Sequence, residues 1–594
     1  MSTAFTPPLE DIRFVLDELV DVPAVQALPG QSETSRELVD AVLEEAGKFA
    51  AQVLAPLNRE GDIKGSQWKD GEVASAPGFR DAYAQYCAAG WNALPFPAQW
   101  GGQGLPSIVS SPVSEMVMSA NLSFSLCPML TAGAVAALVL VGSDQLKQTY
   151  LPKMIDGSWT GTMNLTEPQA GSDLSLVRSR AVPEGDHYRI SGQKIFISFG
   201  DHDLADQIIH LVLARTPDAP EGTRGISCFI VPKRHLNDDG SLGERNGVHT
   251  LSIEEKMGIH GSPTCVLEYD DATGYLIGEE NKGMRIMFVM MNMARLSVGT
   301  QGVAVAERAY QHALAYAQER RQGLAIGAEG VDSAIIEHPD VRRMLLTQRA
   351  LIAAARRMMF LNAAHMDRVS HGTDEDARQR SSEIVGLLTP LCKTFGTDVG
   401  VDVASLALQV FGGMGFIEET GAAQFYRDAR IMPIYEGTNG IQAADLVGRK
   451  MPVRDGASFL EFIQEMREID GALEAAGEDF ASIRAELGRQ FDALEKATTW
   501  MLRTGMQDPN SVLAGSSPYQ RMWCLVVGGW LLARSALAAA GLDGSARAEA
   551  ELVTARFFAE QLLPQAGALL SAATAGSRDL FALDVEALGG RVKV

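Results

Sequence analysis

Hydrophobic residues recur every three to four positions along the first part of the chain, which is the spacing of one face of an α-helix. Residues 35–54 show this spacing at Leu38, Val42, Ala46 and Phe49. The pattern changes near Gly161, where short β-rich runs alternate with turns about every 10–20 residues as far as Gly283. We therefore expect a helical segment followed by a small β-sandwich or β-barrel.

Helical spacing returns at Gly283, and long helices are expected as far as about Lys450. The chain then continues as a further helical stretch. This order of patterns predicts the fold class α+β, with four segments. The segments are an N-terminal helical domain (1–160), a middle β domain (161–282), a second helical domain (283–452) and an additional C-terminal helical domain (453–594).

The composition is that of a folded, acidic protein. Of the 594 residues, 46% are hydrophobic and 21% are charged, which excludes wholesale disorder. The 51 Lys and Arg residues against 74 Asp and Glu residues give a formal charge of −23. Such a surface repels phosphate backbones, so we expect no nucleic acid as a partner, although a local basic pocket could still bind a small anion.

The longest apolar run, Met129–Gly142, has 14 residues. A membrane-spanning helix needs ~20 residues, so we interpret this run as a buried helix and expect no membrane partner.

The six cysteines form no CxxC pair and lie far apart, which predicts neither a zinc site nor a disulfide framework. This pattern is typical of a reducing compartment. The N-terminal residues also lack the basic and apolar regions of a signal peptide. We therefore expect a cytoplasmic protein with no bound metal.

The motif LTEPQAGSD (Leu165–Asp173) lies where the helical pattern gives way to the β pattern. Pro168 and Gly171 shape a loop whose backbone N–H groups, hydroxyls and single carboxylate could bind a polar ring edge or a phosphate. The alternative is an ordinary turn with a helix cap.

The motif VFGGMGF (Val410–Phe416) is glycine-rich, but Glu418 stands where the last glycine of a GxGxxG motif would fall. The motif therefore does not indicate a Rossmann dinucleotide site. Its glycines could still let a ligand or a second backbone approach closely.

The motif RDARIMPIYEGTNGIQ (Arg427–Gln442) places Glu436 between an apolar stretch and a glycine-containing turn. Asn439 and Gln442 have the spacing of a capping box, so a helix is expected to begin just past Glu436. A carboxylate held in an apolar wall can act as a base toward a weakly acidic C–H bond. The alternative is an exposed loop glutamate.

Together these motifs resemble those of the acyl-CoA dehydrogenase family. TEPQAGSD, KIFISFG (Lys194–Gly200), ERRQG (Glu319–Gly323), QVFGGMGF and IYEGTNGIQ occur in that family's order and spacing, over residues 40–450. The resemblance implies an N-terminal helical domain, a middle β-barrel and a C-terminal helical bundle, to which this chain adds a further helical domain. It also implies bound FAD and α,β-dehydrogenation of an acyl-CoA thioester.

The resemblance assigns the catalytic chemistry to Glu436, which would take the α-proton while flavin N5 accepts the β-hydride. In the family, the thioester oxygen is bound by the FAD ribityl 2′-hydroxyl and by the backbone N–H of this glutamate. Ser172 and Arg295 match residues near the CoA part of the substrate. Asn292 stands where many members have aspartate, three residues before Arg295.

The resemblance also implies the residues that contact FAD. These are Thr166 at the flavin edge, Phe196 and Ser198 against the isoalloxazine, Arg320 at the pyrophosphate of a neighbouring subunit, Gln409 and Gly413 at the adenylate across the dimer, and Thr438 beside the base. Phe196 replaces the tryptophan that is usual in the family, and Gly440 replaces a frequent glutamine.

The extra C-terminal segment, together with LPFPAQWGGQGLP and EGTNGIQA, resembles a subgroup that acts in dimethylsulfoniopropionate catabolism. It implies the conversion of 3-(methylthio)propanoyl-CoA to 3-(methylthio)acryloyl-CoA, an electron-transferring flavoprotein as electron acceptor, and a homodimer or homotetramer. Three alternatives remain open: an acyl-CoA oxidase using O2, a general short- or medium-chain fatty acyl-CoA dehydrogenase, and a non-catalytic interaction protein that has kept the fold.

Overall fold

The computed structural model of the protein describes residues 4–542 and 546–590. The N-terminal region is helical, as predicted. Its helices are α1 (Leu9–Glu18), α2 (Val22–Gln26), α3 (Arg36–Phe49), α4 (Ala55–Lys64), α5 (Phe79–Ala88), α6 (Ser107–Ala120), α7 (Leu122–Val141) and α8 (Asp144–Ile155), with a short hairpin of β1 (Gln67–Lys69) and β2 (Glu72–Ala74) after α4.

The β middle segment is also confirmed. Its strands are β3 (Trp159–Asn164), β4 (Arg180–Glu184), β5 (His187–Ser198), β6 (Gln207–Ala214), β7 (Ser227–Pro232), β8 (Arg234–Leu236), β9 (Leu242–Arg245), β10 (Val248–Ile253) and β11 (Thr264–Leu276). Seven of them form one sheet in the order β3-β6-β7-β11-β5-β4, with β10 also paired to β11. The β3–β6 pair is parallel and the other pairs are antiparallel. The stretch 237–247 contains β9, which pairs with β8 to form a separate two-stranded hairpin.

Long helices follow the sheet, as the sequence predicts. They are α9 (Gly283–Glu319), α10 (Pro339–His371), α11 (Glu375–Phe411), α12 (Ala422–Ala429), α13 (Asn439–Asp445), α14 (Ala457–Arg467), α15 (Ile469–Ala475), α16 (Ala481–Gly505), α17 (Pro509–Ala540), α18 (Ala546–Gln561), α19 (Pro564–Ala568) and α20 (Leu570–Thr574). Pro339 occupies the first turn of α10, where its missing N–H costs no helical hydrogen bond.

The chain folds into two compact units, each built from separate stretches of sequence. Unit 1 contains the residues up to Pro8, Glu37–Ser297 and Glu418–Asp428. Unit 2 contains Leu9–Arg36, Val298–Ile417 and the residues from Ala429 onward. The sheet lies in unit 1, and the additional C-terminal helices lie in unit 2. The four-segment division of the sequence stays a prediction.

Helix α7 carries the longest apolar run. Its interior residues are buried in the core of unit 1, so the predicted buried helix is confirmed. The argument from length is wrong, however, because the helix has 20 residues and begins at Leu122, with Pro128 inside it. Among the described residues, three helices are long and apolar enough by composition to cross a membrane: Leu122–Val141, Glu375–Phe416 and Pro509–Ala540. Their apolar windows are 61%, 44% and 83% buried within the protein.

Within unit 2, α11 and the part of α9 from Val298 onward touch backbone to backbone at glycines. A Cβ atom placed on Gly302 would lie 1.9 Å from O of Gly396, and one on Gly396 would lie 2.1 Å from O of Gly299. No larger residue fits at these positions without moving a helix. The glycines therefore hold the two helices at a fixed close separation.

A buried ionic network joins the two ends of the chain within unit 2. Asp11 of α1 lies 2.6 Å from Arg356 and 3.2 Å from Arg357 on α10. Asp11 also lies 3.1 Å from Arg547 of α18, and Arg357 lies 2.9 Å from Glu551 of α18. Buried charges need such partners, so the network fastens α1 and α18 to α10.

Candidate active site

The loop Leu165–Asp173 of unit 1 is held by a buried ion pair. Nζ of Lys194, on β5, lies 2.8 Å from Oε1 of Glu167 and donates a hydrogen bond to O of Leu165 at 2.9 Å. The Lys194 and Glu167 side chains are 0% and 3% exposed. Because buried charges are costly unless paired, this geometry fixes the loop against β5.

Glu167 also accepts hydrogen bonds from residues that follow the loop. It accepts from N and Oγ of Ser179, at 3.0 and 2.6 Å, and from N of Arg178 at 2.7 Å. Burial alone would raise the pKa of Glu167, but Lys194 and these donors outweigh it and lower the pKa. Burial lowers the pKa of Lys194 to about 8, against the opposing effect of Glu167. Both groups are therefore ionised at neutral pH.

A β-bulge turns Phe196 outward beside this loop. Ile195 and Phe196 of β5 both stand opposite Val266 of β11, because the register shifts between Leu267↔Lys194 and Cys265↔Ile197. Phe196 has a φ of 60°, a conformation that is uncommon for a bulky residue, and the residue is 60% exposed. The bulge thus presents an aromatic face to the outside of the strand.

The structure brings Thr166, Phe196 and Ser198 together. O of Thr166 accepts a hydrogen bond from N of Ile195 at 2.9 Å, which places Thr166 next to the bulge. Ser198 ends the same strand, and its O accepts from Oγ1 of Thr162 at 2.8 Å. A hydroxyl-bearing loop and an exposed aromatic residue therefore lie side by side at the C-terminal end of β5.

Ser172 lies at the exposed end of the same loop. The next residue, Asp173, caps a short helical turn by accepting from N of Ser175 at 2.9 Å. The helix-cap reading of this part of the motif is thus correct for Asp173, and Ser172 faces solvent beside it.

Arg295 lies in the part of α9 that belongs to unit 1. It is 4% exposed, and its Nη1 lies 3.3 Å from Oδ1 of Asn292, one turn earlier. Asn292 thus still accepts a hydrogen bond from the guanidinium, although it carries no charge.

Glu436 lies in unit 2, in a turn between α12 and α13. N of Asn439 donates to O of Pro433 at 3.0 Å and closes the turn around Glu436. Glu436 is half-buried and has a φ of 56°, which only a constrained backbone imposes on a glutamate. Tyr435 of the same turn donates its hydroxyl proton to Oε1 of Gln301 on α9. These contacts therefore fix the backbone of the turn that carries Glu436.

Helix α13, directly after this turn, is capped by Thr438. Oγ1 of Thr438 accepts from N of Ile441 at 3.2 Å. The predicted helix start is confirmed, but the predicted capping box of Asn439 and Gln442 is wrong. The Asn439 amide instead accepts from Nζ of Lys393 and donates to Oδ1 of Asp398, both at 2.8 Å.

Arg320, Gln409 and Gly413 are brought to neighbouring helix ends in unit 2. Arg320 directly follows α9, Gln409 lies in the last turn of α11, and Gly413 lies just past that helix. The rings of Tyr316, one turn before Arg320, and Phe411 stack with their centroids 4.1 Å apart. All three candidate residues are exposed, so a guanidinium and a glycine turn face solvent at adjoining positions.

Two groups of supporting residues escape sequence reasoning. Lys194 and Glu167 lie inside the quoted motifs, and period-two alternation from Ile190 could have placed Lys194 on the buried face of β5. Lys393 and Asp398 carry no local signal, because they are about 40 residues distant from Asn439 in sequence.

Four family models match the chain. They are the acyl-CoA dehydrogenase N-terminal domain at residues 36–158, the middle domain at 162–272, the C-terminal domain at 281–451, and an acetyl-CoA dehydrogenase C-terminal-like domain at 462–584.

Similar proteins extend over nearly the whole length. A 3-methylmercaptopropionyl-CoA dehydrogenase of Ruegeria pomeroyi is 48% identical over 570 residues, which are 95% of this chain and 97% of that protein. A broad-specificity linear acyl-CoA dehydrogenase of Mycobacterium tuberculosis is 32% identical over 93% of this chain and 95% of its own. The solved structure of an acyl-CoA dehydrogenase from Bacillus anthracis, complexed with FAD, matches with a TM-score of 0.72 and 22% identity over 96% of this chain and 92% of its own, which shows a shared fold.

Proposed function

The chain belongs to the acyl-CoA dehydrogenase family and is an oxidoreductase of that family, and from this premise we propose that its reaction converts 3-(methylthio)propanoyl-CoA to 3-(methylthio)acryloyl-CoA. The observation that carries the proposal is the 48% identity to the Ruegeria pomeroyi enzyme over 95% of this chain, including the C-terminal helices. This reaction would be a step of dimethylsulfoniopropionate catabolism.

FAD is the cofactor we propose, and the residues of the chain fit it. Phe196 is 60% exposed at the bulge, so a large apolar surface is in contact with water, and a flat isoalloxazine would cover it. We assign Thr166, Phe196 and Ser198 to the flavin ring and Thr438 to the region beside the base. When bound, FAD supplies the acceptor for the hydride that leaves the β-carbon.

We assign the remaining FAD contacts to the helix ends of unit 2. The exposed guanidinium of Arg320 suits a pyrophosphate, because its planar donors bind phosphate oxygens in pairs. Gln409 and Gly413 adjoin it and are assigned to the adenylate of a neighbouring subunit. This assignment requires at least a homodimer, and a homotetramer is equally compatible with it.

Glu436 is the base we propose. A carboxylate oxygen of Glu436 takes the α-proton of the thioester, and the closed turn fixes the backbone from which that side chain extends. Holding a base in place in this way removes the entropy cost of bringing it to the substrate. Ser172 and Arg295 are assigned to the CoA part of the substrate, where Arg295 provides positive charge for an anionic ester.

Replacement of Glu436 by glutamine tests this role. Glu436→Gln keeps the shape of the side chain but removes the base, so we expect kcat to fall about 10²–10⁴-fold while FAD content is unchanged. The matched control is Glu419→Gln, an exposed glutamate of the short turn before α12, which should keep full activity. A Glu436→Gln enzyme with wild-type kcat at saturating substrate would contradict the assignment.

The substrate is tested with an isosteric pair. Pentanoyl-CoA differs from 3-(methylthio)propanoyl-CoA only in carrying a methylene in place of sulfur. Flavin bleaching by each ester, followed without oxygen in a single turnover, should give a second-order rate constant of flavin reduction about tenfold or more higher for the sulfur compound. Equal values would favour a general fatty acyl-CoA dehydrogenase, the second candidate, which the 32% identity to the broad-specificity enzyme supports.

We propose an electron-transferring flavoprotein as the electron acceptor and the cytoplasm as the location. Rapid peroxide formation in air would point instead to an acyl-CoA oxidase. We also propose the four-segment domain division of residues 1–160, 161–282, 283–452 and 453–594, because three of the matched family models fall within these segments and the fourth, at 281–451, begins only two residues before its segment.

A further inference from the structure

Within unit 2, α17 of the additional C-terminal segment packs against α11 and against α13, the helix that directly follows the turn of Glu436. Arg521 lies on α17, and its Nη1 and Nη2 atoms are 3.6 Å and 3.7 Å from Oδ2 of Asp398 and of Asp402, respectively. Its guanidinium carbon is also 5.7 Å from the centre of the Phe395 ring. One cation from the C-terminal segment is thus shared by two carboxylates of α11.

The carboxylate of Asp398 binds Asn439, the residue that closes the turn around Glu436. Oδ1 of Asp398 accepts a hydrogen bond from Nδ2 of Asn439 at 2.8 Å, and Oδ1 of Asn439 accepts from Nζ of Lys393 at 2.8 Å. N of Asn439 closes the turn onto O of Pro433. Asn439 is therefore held at both ends of its amide while its backbone shapes the turn around Glu436.

We propose that Arg521 is a positioning residue for the reaction, acting through Asp398 and Asn439 to hold Glu436 in place. This inference gives the C-terminal segment a part in catalysis, and it rests on the proposed role of Glu436. Arg521 is placed to keep Asp398 anionic, and an anionic Asp398 is the strong acceptor that orients the Asn439 amide.

The charges around Asp398 explain why the cation matters. Asp402 lies one helical turn away, Lys393 lies on the same helix, and Arg521 faces both carboxylates from α17. Burial raises the pKa of Asp398; Arg521 opposes the shift and Asp402 adds to it. Burial also raises the pKa of Asp402, again against Arg521. Without Arg521, the carboxylates of Asp398 and Asp402, at positions i and i+4, would repel each other. The pKa of Asp398 would then rise further, so Asp398 would be protonated at a higher pH than in wild type.

Neighbouring contacts keep α17 in register with α11. Nε2 of Gln520 donates to O of Pro390 at 3.1 Å, and Oε1 of Gln520 accepts from Oγ1 of Thr394 at 3.2 Å. Gln520 is buried, and it precedes Arg521 directly. A substitution of Arg521 therefore removes the charge while these contacts still hold the helix.

The test compares Arg521→Gln and Arg521→Lys with the wild-type holoenzyme. We expect Arg521→Gln to lower kcat per bound flavin about tenfold or more, with KM little changed, because a small displacement of a reacting group costs up to about 10²-fold. The acid side of the pH–kcat profile should move to higher pH. Arg521→Lys should restore much of the loss because it keeps the charge. Arg484→Gln is the matched control, since Arg484 pairs with Asp470 within the same C-terminal segment.

A double-mutant cycle with Asp398→Ala tests the route of the effect. If Arg521 acts through Asp398, Arg521→Gln should cause no further loss of kcat in the Asp398→Ala enzyme. Hydrogen exchange of the amides of residues 434–441 should be faster in Arg521→Gln than in wild type. This measurement needs no substrate and so separates this inference from the identity of the reaction. Wild-type kcat and loop exchange in Arg521→Gln, a loss of thermal stability alone, or additive effects in the cycle would overturn the proposal.

Discussion

The ion pair between Lys194 and Glu167 allows a prediction about the loop that carries Thr166. Lys194→Met removes the cation but keeps an unbranched apolar chain, so Glu167 is left buried without its counter-charge. The two side chains are 0% and 3% exposed and 2.8 Å apart, so water cannot replace the missing partner. Breaking such a pair costs about 3–5 kcal/mol.

That cost should appear as local opening of the loop. At about 1.4 kcal/mol for each factor of ten, 3–5 kcal/mol corresponds to roughly 10²–10⁴ in the opening equilibrium. The amides of Arg178 and Ser179 donate to Glu167 and report on this opening directly. Their hydrogen exchange should speed up by about this factor in Lys194→Met, and FAD should dissociate faster if Thr166 contacts it.

The double variant Lys194→Met with Glu167→Leu isolates the charge effect. Replacing both ions by apolar groups leaves no unpaired charge, so we expect it to recover part of the lost protection. Arg189→Gln is the control, because Arg189 and Glu184 form an exposed pair in the same sheet that is worth less than about 1 kcal/mol. The reasoning is refuted if Lys194→Met leaves the exchange of these amides unchanged, or if the double variant opens at least as readily as the single one.

Two further predictions concern pH. Burial favours a higher pKa for Asp11, but Arg357, Arg356 and Arg547 outweigh this effect and lower the pKa. The stability that ionised Asp11 contributes to the fold is therefore complete above about pH 4 and is lost as the pH falls below that value. Acid unfolding followed by circular dichroism should therefore be less steep in Asp11→Asn, and an unchanged slope would count against the network. Burial raises the pKa of Asp428 from 3.8 to about 6, so the folded protein holds a proton that the unfolded chain has lost, and stability falls as the pH rises through this window. Asp428→Asn should remove this loss of stability with rising pH, and the variant should be more stable than wild type at pH 7.5 by about 3 kcal/mol at most. If the unfolding midpoints of variant and wild type depended on pH in the same way, the prediction would be contradicted.

Elements that depend on local pattern were predictable from the sequence. The change from helical to β spacing near Gly161 and back near Gly283 marks the sheet, because each pattern reports which faces of an element are buried. The length of α7 was not predictable from the sequence, because Pro128 suggests a helix start but lies inside the helix that begins at Leu122.

The candidate site shows the same division between local and distant causes. Glu436 could be singled out by its motif, and so could the helix that follows it. The cap could not be assigned, because Thr438 and Asn439 are both good caps and the choice depends on distant residues. Lys393 and Asp398 engage the Asn439 amide, which leaves Thr438 to cap the helix.

The network between α1 and α18 can form only late in synthesis, because its members are far apart in the sequence. Asp11 and its partner Arg547 are 536 residues apart in the chain. A ribosome adds about 5–20 residues per second, so roughly 30–100 s pass between the appearance of one and of the other. During that time the apolar residues Ile12, Val15 and Leu16 of α1 lack part of their final packing. The nascent α1 segment is therefore the stretch where we expect chaperones to bind and where slow translation would cause the most misfolding.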